Sequence, residues 1–230
     1  MKGVELLQRN DIEFSALAVV TSETLTDARA FHDFFVSRGI MSIALNIEEI
    51  EHQHTTSTLT APTSVRRFHG FITELYELSQ ASGLRVREFE RARNSIRYFL
   101  QTGNGPCISP FYPLSIDYLG NFTVFAPELL GVKHARYGSF ALGNVNDDDL
   151  DDALDSAAFH AINRDIALGM DMCRANCGYF GVCGGGSPSN KLFENGRLDS
   201  METLYCLLHI KTLVPVVSRG LVVGAQTGGQ

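Results

Sequence analysis

Cysteine is scarce in this 230-residue chain: there are five, an odd number. A disulfide scaffold of this size would need more of them, in pairs, and cysteines so used in a reducing compartment serve metals or catalysis more often. Long apolar runs are missing as well. The best stretch, residues 212–225, is broken by Pro215 and Arg219, which excludes a membrane-spanning helix of roughly 18 or more apolar residues. The opening MKGVELLQRND lacks the apolar centre of a secretory signal, so a cytoplasmic location is expected. Positive charge is in deficit: 19 Lys and Arg stand against 26 Asp and Glu, a net charge of −7. That is the wrong sign for a phosphate-binding surface and excludes nucleic acid as the main partner. No P-loop, GxGxxG fingerprint or Ser–His–Asp constellation is evident. What remains, 44% hydrophobic and 20% charged, is globular composition, with length for one large domain or two small ones.

The first hundred residues alternate short apolar runs with helical patterns. Residues 14–20 (FSALAVV) read as a buried strand. Residues 24–38 read as a helix, with Thr24 and Asp27 at capping-box spacing, an apolar stripe of Ala30, Phe31, Phe34 and Phe35, and Gly39 at the stop. Residues 40–47 predict a second strand. Ser64 can cap a helix carrying Phe68, Phe71, Ile72, Leu75 and Leu78 up to Gly83, and residues 84–89 give a third strand or an extended connection. This order implies parallel strands with crossovers, but too few to close a barrel. From Gln101 the texture changes. Gly103, Gly105, Pro106, Pro110 and Pro113 mark a boundary, giving expected units of 1–102 and 103–230. In the second, residues 116–124 predict a hairpin turning at Gly120-Asn121. A helix follows over 147–169, then a Gly- and Cys-rich loop over 173–186, a polar stretch, and a last helix over 199–213.

The sharpest feature is Cys173-x3-Cys177-x5-Cys183-Gly-Gly-Gly, with Cys206 separated from Cys183 by 22 residues. Three thiols within eleven residues of Gly-rich backbone can converge on one centre, and glycine lets backbone amides approach sulfur without a Cβ clash. Four cysteine thiolates suit a 4Fe–4S cluster and a structural zinc equally well in count.

The run from Cys173 through CGGG, Ser187 and on to Glu194-Asn195-Gly196 resembles the SPASM domain of radical SAM peptide maturases, the cyclophane-forming type above all. Leu204-Tyr205-Cys206 resembles that domain's closing cysteine. Residues 3–21 and 41–51 look like the fifth and sixth strands of the radical SAM partial barrel and the helix before them. Cys107, then residues 117–122, looks like the opening of the SPASM hairpin. The implied fold is α/β: the C-terminal remnant of a partial (β/α)6 radical SAM barrel, followed by a small irregular SPASM iron–sulfur domain. The implied cofactor is one auxiliary 4Fe–4S cluster on Cys173, Cys177, Cys183 and Cys206, with Cys107 as the alternative ligand. The implied reaction joins side chains of a ribosomally made precursor peptide by carbon–carbon bonds.

This chain departs from the family pattern at three places. The C-x3-C-x2-C motif that holds the SAM-cleaving cluster is absent. SAM and a second 4Fe–4S cluster therefore belong with an N-terminal part, encoded separately or lost by truncation, and the chain is expected to be inactive alone. Phe125 and Ser187 stand where further cysteines are usual, so one auxiliary cluster is expected rather than two. The alternative is a non-catalytic module that binds the precursor peptide, an iron–sulfur cluster or zinc.

Other candidates carry less. Val20 and Thr21 close the first strand, and Asn46, Glu48, Glu49 and Glu51 follow the second, at the end where parallel α/β folds place ligands. The resemblance puts Val20, Thr21, Asn46 and Glu48 beside SAM. Residues 147–155 hold six aspartates but fail as an EF-hand, since the sixth position is Asp152 and the twelfth Ala158; they read as a solvated helix start. His52 and His54 lack a third ligand and read as a polar loop, while His209 lies one helical turn from Cys206.

Overall fold

The computed structural model describes residues 2–106 and 113–227. In chain order these form α1 (Lys2–Arg9), β1 (Ala16–Val20), α2 (Ala28–Val36), β2 (Ser42–Ile47), α3 (Ser64–Ser82), β3 (Arg85–Val86), α4 (Arg87–Thr102), β4 (Ser115–Ile116) and β5 (Asn121–Thr123). Then come β6 (Lys133–His134), β7 (Gly138–Ser139), β8 (Gly143–Asn144), α5 (Leu150–Leu154), α6 (Ala157–Asn176), α7 (Phe180–Cys183), α8 (Pro188–Asn195), a π-helical stretch Cys206–Thr212 and α9 (Leu213–Thr227).

These elements group as two compact units, not divided at one point near residue 102. Met1–Glu48, Thr58–Ile96 and Lys211–Gln230 make the first; Glu49–Ser57 and Arg97–Ile210 make the second. The return of α9 to the first unit has a packing cause. Its residues Leu213, Val214, Val216 and Val217 are buried and the helix packs on α3. Gly220 permits the approach, since a Cβ there would stand 2.3 Å from the Tyr76 hydroxyl.

The first unit is built on three parallel strands in the order β1-β2-β3, which among the described residues do not close into a barrel. Pairing runs from Ala16 with Ile43 to Val20 with Ile47, so Ala16, Ala18 and Val20 share a face with Ile43, Leu45 and Ile47. Val20, Ile43, Leu45, Phe68, Ile72 and Leu75 are fully buried. The opposite face of β1 is open: Leu17 is 68% and Val19 61% exposed.

Two expectations shift here. Asp27, not Thr24, caps α2, its side chain accepting from the Ala30 N–H at 2.8 Å; residues 24–26 form a 3₁₀ turn because Asp27 itself is extended. The third strand is only two residues long, pairing Ser42 with Arg85 and Ile43 with Val86, and Phe89 is already helical. Where β3 stops, the buried Glu88 carboxylate takes over and accepts from the Leu45 N–H at 2.7 Å. Arg87 pairs with Glu88 at 2.6 Å and donates to Asn46 at 2.8 Å, so the carboxylate is buried with its charge met.

The second unit has short antiparallel ladders, β4-β5-β8 and β6-β7, packed around a core of Val124, Phe125, Leu129, Phe140, Phe159, Ile162, Leu192 and Leu198. The hairpin turns at residues 117–120, with the Asp117 carboxylate accepting from the Leu119 and Asn121 amides. Buried Asp165 on α6 accepts from the Tyr137 hydroxyl at 2.9 Å and pairs with Arg136 at 2.6 Å, tying the β6-β7 hairpin to α6. The single helix expected over 147–169 is two, because Ser156 starts a new one by accepting from the Phe159 amide. That helix, α6, continues to Asn176, so Cys173 is helical and not in a loop. The polar stretch after the glycines is α8, and helix formation at the C-terminus begins near residue 204 rather than 199.

Candidate functional site

Cys173, Cys177, Cys183 and Cys206 line one cavity of the second unit, together with Phe180, Lys191 and Tyr205. The space is about 420 Å³, counting the open solvent at its mouth. Each thiol is delivered by a different local device. Cys173 sits buried in the last turn of α6, and Cys177 is that helix's C-cap, its amide bonded to the Cys173 carbonyl at 2.9 Å. Cys183 ends the one-turn α7. Cys206 opens the π-helical stretch, its amide held by the Thr203 hydroxyl at 3.1 Å.

Of the three glycines after Cys183, Gly185 and Gly186 line the cavity. All three have positive φ, at 73°, 110° and 76°, a conformation that side-chain-bearing residues rarely adopt. A Cβ on Gly184 would also stand 2.5 Å from the Pro106 carbonyl oxygen. The turn aims the Gly185 and Gly186 amides at the Cys183 sulfur, and the Cys173 thiol donates to the Gly185 carbonyl at 3.9 Å. Burial pushes the Cys183 thiol up; the Gly185 amide opposes this, and the neighbouring Cys173 and Cys177 add to it. Burial likewise pulls the Lys191 ammonium down, against the raising effect of Cys173, Cys183 and Cys206.

The thiols face a common space without being drawn to a point. Among the described residues, no three Cys, His, Asp or Glu side chains are gathered closely enough to hold a single metal ion. Cys107 lies outside the described residues. Phe125 is buried and stacks on Phe159 with ring centroids 5.7 Å apart, while Ser187 caps α8 by accepting from the Ser189 amide. Both positions serve packing and capping where the resemblance would have put sulfur.

The other predicted residues are not among those lining this cavity. Val20 is fully buried, and its carbonyl accepts from the Glu48 amide at 2.9 Å. Thr21 is engaged with the Thr24 hydroxyl. Asn46 is exposed and accepts from Arg87, and the Glu48 carboxylate accepts from the Thr58 amide and hydroxyl, each at 2.6 Å. In the second unit Glu49 accepts from the Asn190 amide group, and burial raises its carboxyl, as do the nearby Glu51, Glu194 and Glu128. His54 meets the Glu49 carbonyl at 2.9 Å, and His52 lies edge-on to Phe193. His209 is buried against the Tyr205 ring. In the acidic run, Asp149 caps α5 and Asp148 accepts from the Asn144 amide.

No family model matches the chain. The uncharacterized protein sll1766 of Synechocystis sp. is 38% identical to it over 219 residues, which is 94% of this chain and 55% of that protein. Among solved structures, native anSMEcpe with bound AdoMet is similar at 17% identity with a TM-score of 0.68, over 98% of this chain and 60% of that one. The same protein with bound AdoMet and Cp18Cys peptide is similar at 15% identity with a TM-score of 0.65, over 98% and 61%. The mixed α/β fold thus matches part of the anSMEcpe structure. The chain spans about half the length of the curated relative it matches and about 60% of the solved chains. No helix among the described residues is long and apolar enough to cross a membrane.

Proposed function

We propose that this chain is the C-terminal portion of a radical SAM/SPASM enzyme that modifies a ribosomally made peptide by carbon–carbon crosslinking of side chains. In this reading Cys173, Cys177, Cys183 and Cys206 hold one auxiliary 4Fe–4S cluster. The observation that carries it is the convergence of these four residues on one cavity, with two glycine amides aimed at the Cys183 sulfur. Four cysteine thiols around one cavity suit a polynuclear iron–sulfur group, and the resemblance of the CGGG-to-ENG run to the SPASM domain favours it over a single zinc. When bound, such a group supplies one-electron chemistry at a potential set by hydrogen bonds to its sulfurs and by burial. The chain's own residues hold it, donate N–H groups to its ligand sulfur, and limit the access of water through Phe180 and Tyr205.

The SAM-side role belongs in this reading to Thr21, Asn46, Glu48 and the backbone of Val20, at the C-terminal ends of β1 and β2. SAM cleavage needs a cluster with one iron free of protein ligands, and the C-x3-C-x2-C motif for it is absent from these 230 residues. That step is therefore assigned to an N-terminal radical SAM half. β1 is an edge strand in the order β1-β2-β3 and exposes apolar side chains at Leu17 and Val19, which supports such a partner.

Anaerobic reconstitution should give about four irons per chain with charge-transfer absorption, and Cys206→Ala should lose most of it. Stoichiometric zinc without iron would overturn the cluster. Loss of iron in Cys107→Ala but not in Cys206→Ala would reassign the fourth ligand. Formation of 5′-deoxyadenosine from SAM and a strong reductant by this chain alone would overturn the need for the N-terminal half.

A further inference from the structure

We propose that Lys191 is a positioning residue for the cysteine-bound group, its buried ammonium serving as the fixed counter-charge that sets the potential of that group. The inference rests on the cluster reading above and concerns a residue that no cysteine spacing points to.

Lys191 lies on α8 and is 3% exposed, in the same cavity as the four thiols. Lysine is almost never this buried unless paired. The room for its head group comes from Gly169 on α6: a Cβ there would stand 3.0 Å from the Lys191 nitrogen, 2.9 Å from the Ser200 carbonyl oxygen and 2.5 Å from that of Leu198. Among the described residues, the sulfurs of Cys173, Cys183 and Cys206 are the groups that favour its charged form. A buried cation whose counter-charges are sulfurs is stable when those sulfurs are thiolates, as they are when bound to metal.

The direction of the effect follows from charge. A four-thiolate 4Fe–4S cluster is negative, and taking up one electron makes it more so. A fixed cation close by stabilises the reduced form more than the oxidised form, which raises the midpoint potential. Removing the cation lowers it.

The test is a redox titration of the anaerobically reconstituted chain, with iron content measured alongside, for wild type, Lys191→Met, Lys191→Gln and Lys191→Arg. Lys133→Met, at an exposed position, controls for loss of remote positive charge. The expected result is a midpoint moved to more negative potential in the Met and Gln variants, a smaller shift in Lys191→Arg, and none in Lys133→Met. Unchanged midpoints in Lys191→Met and Lys191→Gln would overturn the proposal while leaving the cluster in place. If the Met and Gln variants take up no iron, Lys191→Arg decides: retained iron supports the charge, whereas loss in all three shows packing alone. Wild-type protein that binds no iron fails the cluster reading itself, a different outcome.

Discussion

In the first unit Ile43, Leu45, Phe68, Ile72 and Leu75 fill the interior with hydrocarbon, and the buried carboxylate of Glu88 is met by an amide and by Arg87. In the second unit an ordinary apolar core around Phe140 and Ile162 lies beside a cavity walled by thiols, glycines and an ammonium. Helix periodicity and strand pairing are enough to stabilise the first arrangement. The second leaves a segment, residues 173–187, whose three consecutive positive-φ glycines and partly buried sulfurs need an added source of order. Metal ligation can supply it, because binding free energy of a ligand-built site is also folding free energy.

The largest expected effect is therefore loss of the group itself. Chelation or oxidative cluster loss should make residues 173–187 protease-sensitive while the first unit stays protected, read by limited proteolysis with mass spectrometry. Equal protection in both would erase the contrast. Phe68→Ala makes the complementary break: it should cost the first unit about 3–5 kcal/mol and leave iron content per folded chain unchanged. Smaller still is the effect of Leu17→Lys with Val19→Lys. Both side chains are mostly exposed, so stability should change by about 0.5 kcal/mol or less, while self-association in light scattering should fall.

The smallest effect tests a half-buried acid of the second unit, Glu49. Burial raises the Glu49 carboxyl, so its ionisation works against folding as pH rises through the raised value. Below the unfolded value of about 4.3 the group is neutral in both states and the penalty is gone. Glu49→Gln should accordingly raise Tm at neutral pH and lose that advantage in acid. A Tm gain that persists in acid would assign the effect to packing rather than charge.

Local pattern alone determined much of this protein. The runs that became β1, α2, β2 and α3 carry their periodicity in adjacent residues, and the stop at Gly83 needs nothing beyond its positive φ. The cysteine spacing with its glycines marked the candidate site, since irregular Gly-rich backbone around thiols is a local signal. The tertiary structure alone decided the rest. Residues 188–195 read as a polar stretch because Ser189, Asn190 and Lys191 are hydrophilic, yet all three are buried on a helix that faces thiols and Glu49. Glu88 satisfies an amide 43 residues away, and Phe125 fills a position where sulfur was expected by stacking on Phe159. A buried polar group is legible only through the partner that compensates it. When that partner is distant in sequence, no window along the chain contains both halves of the interaction.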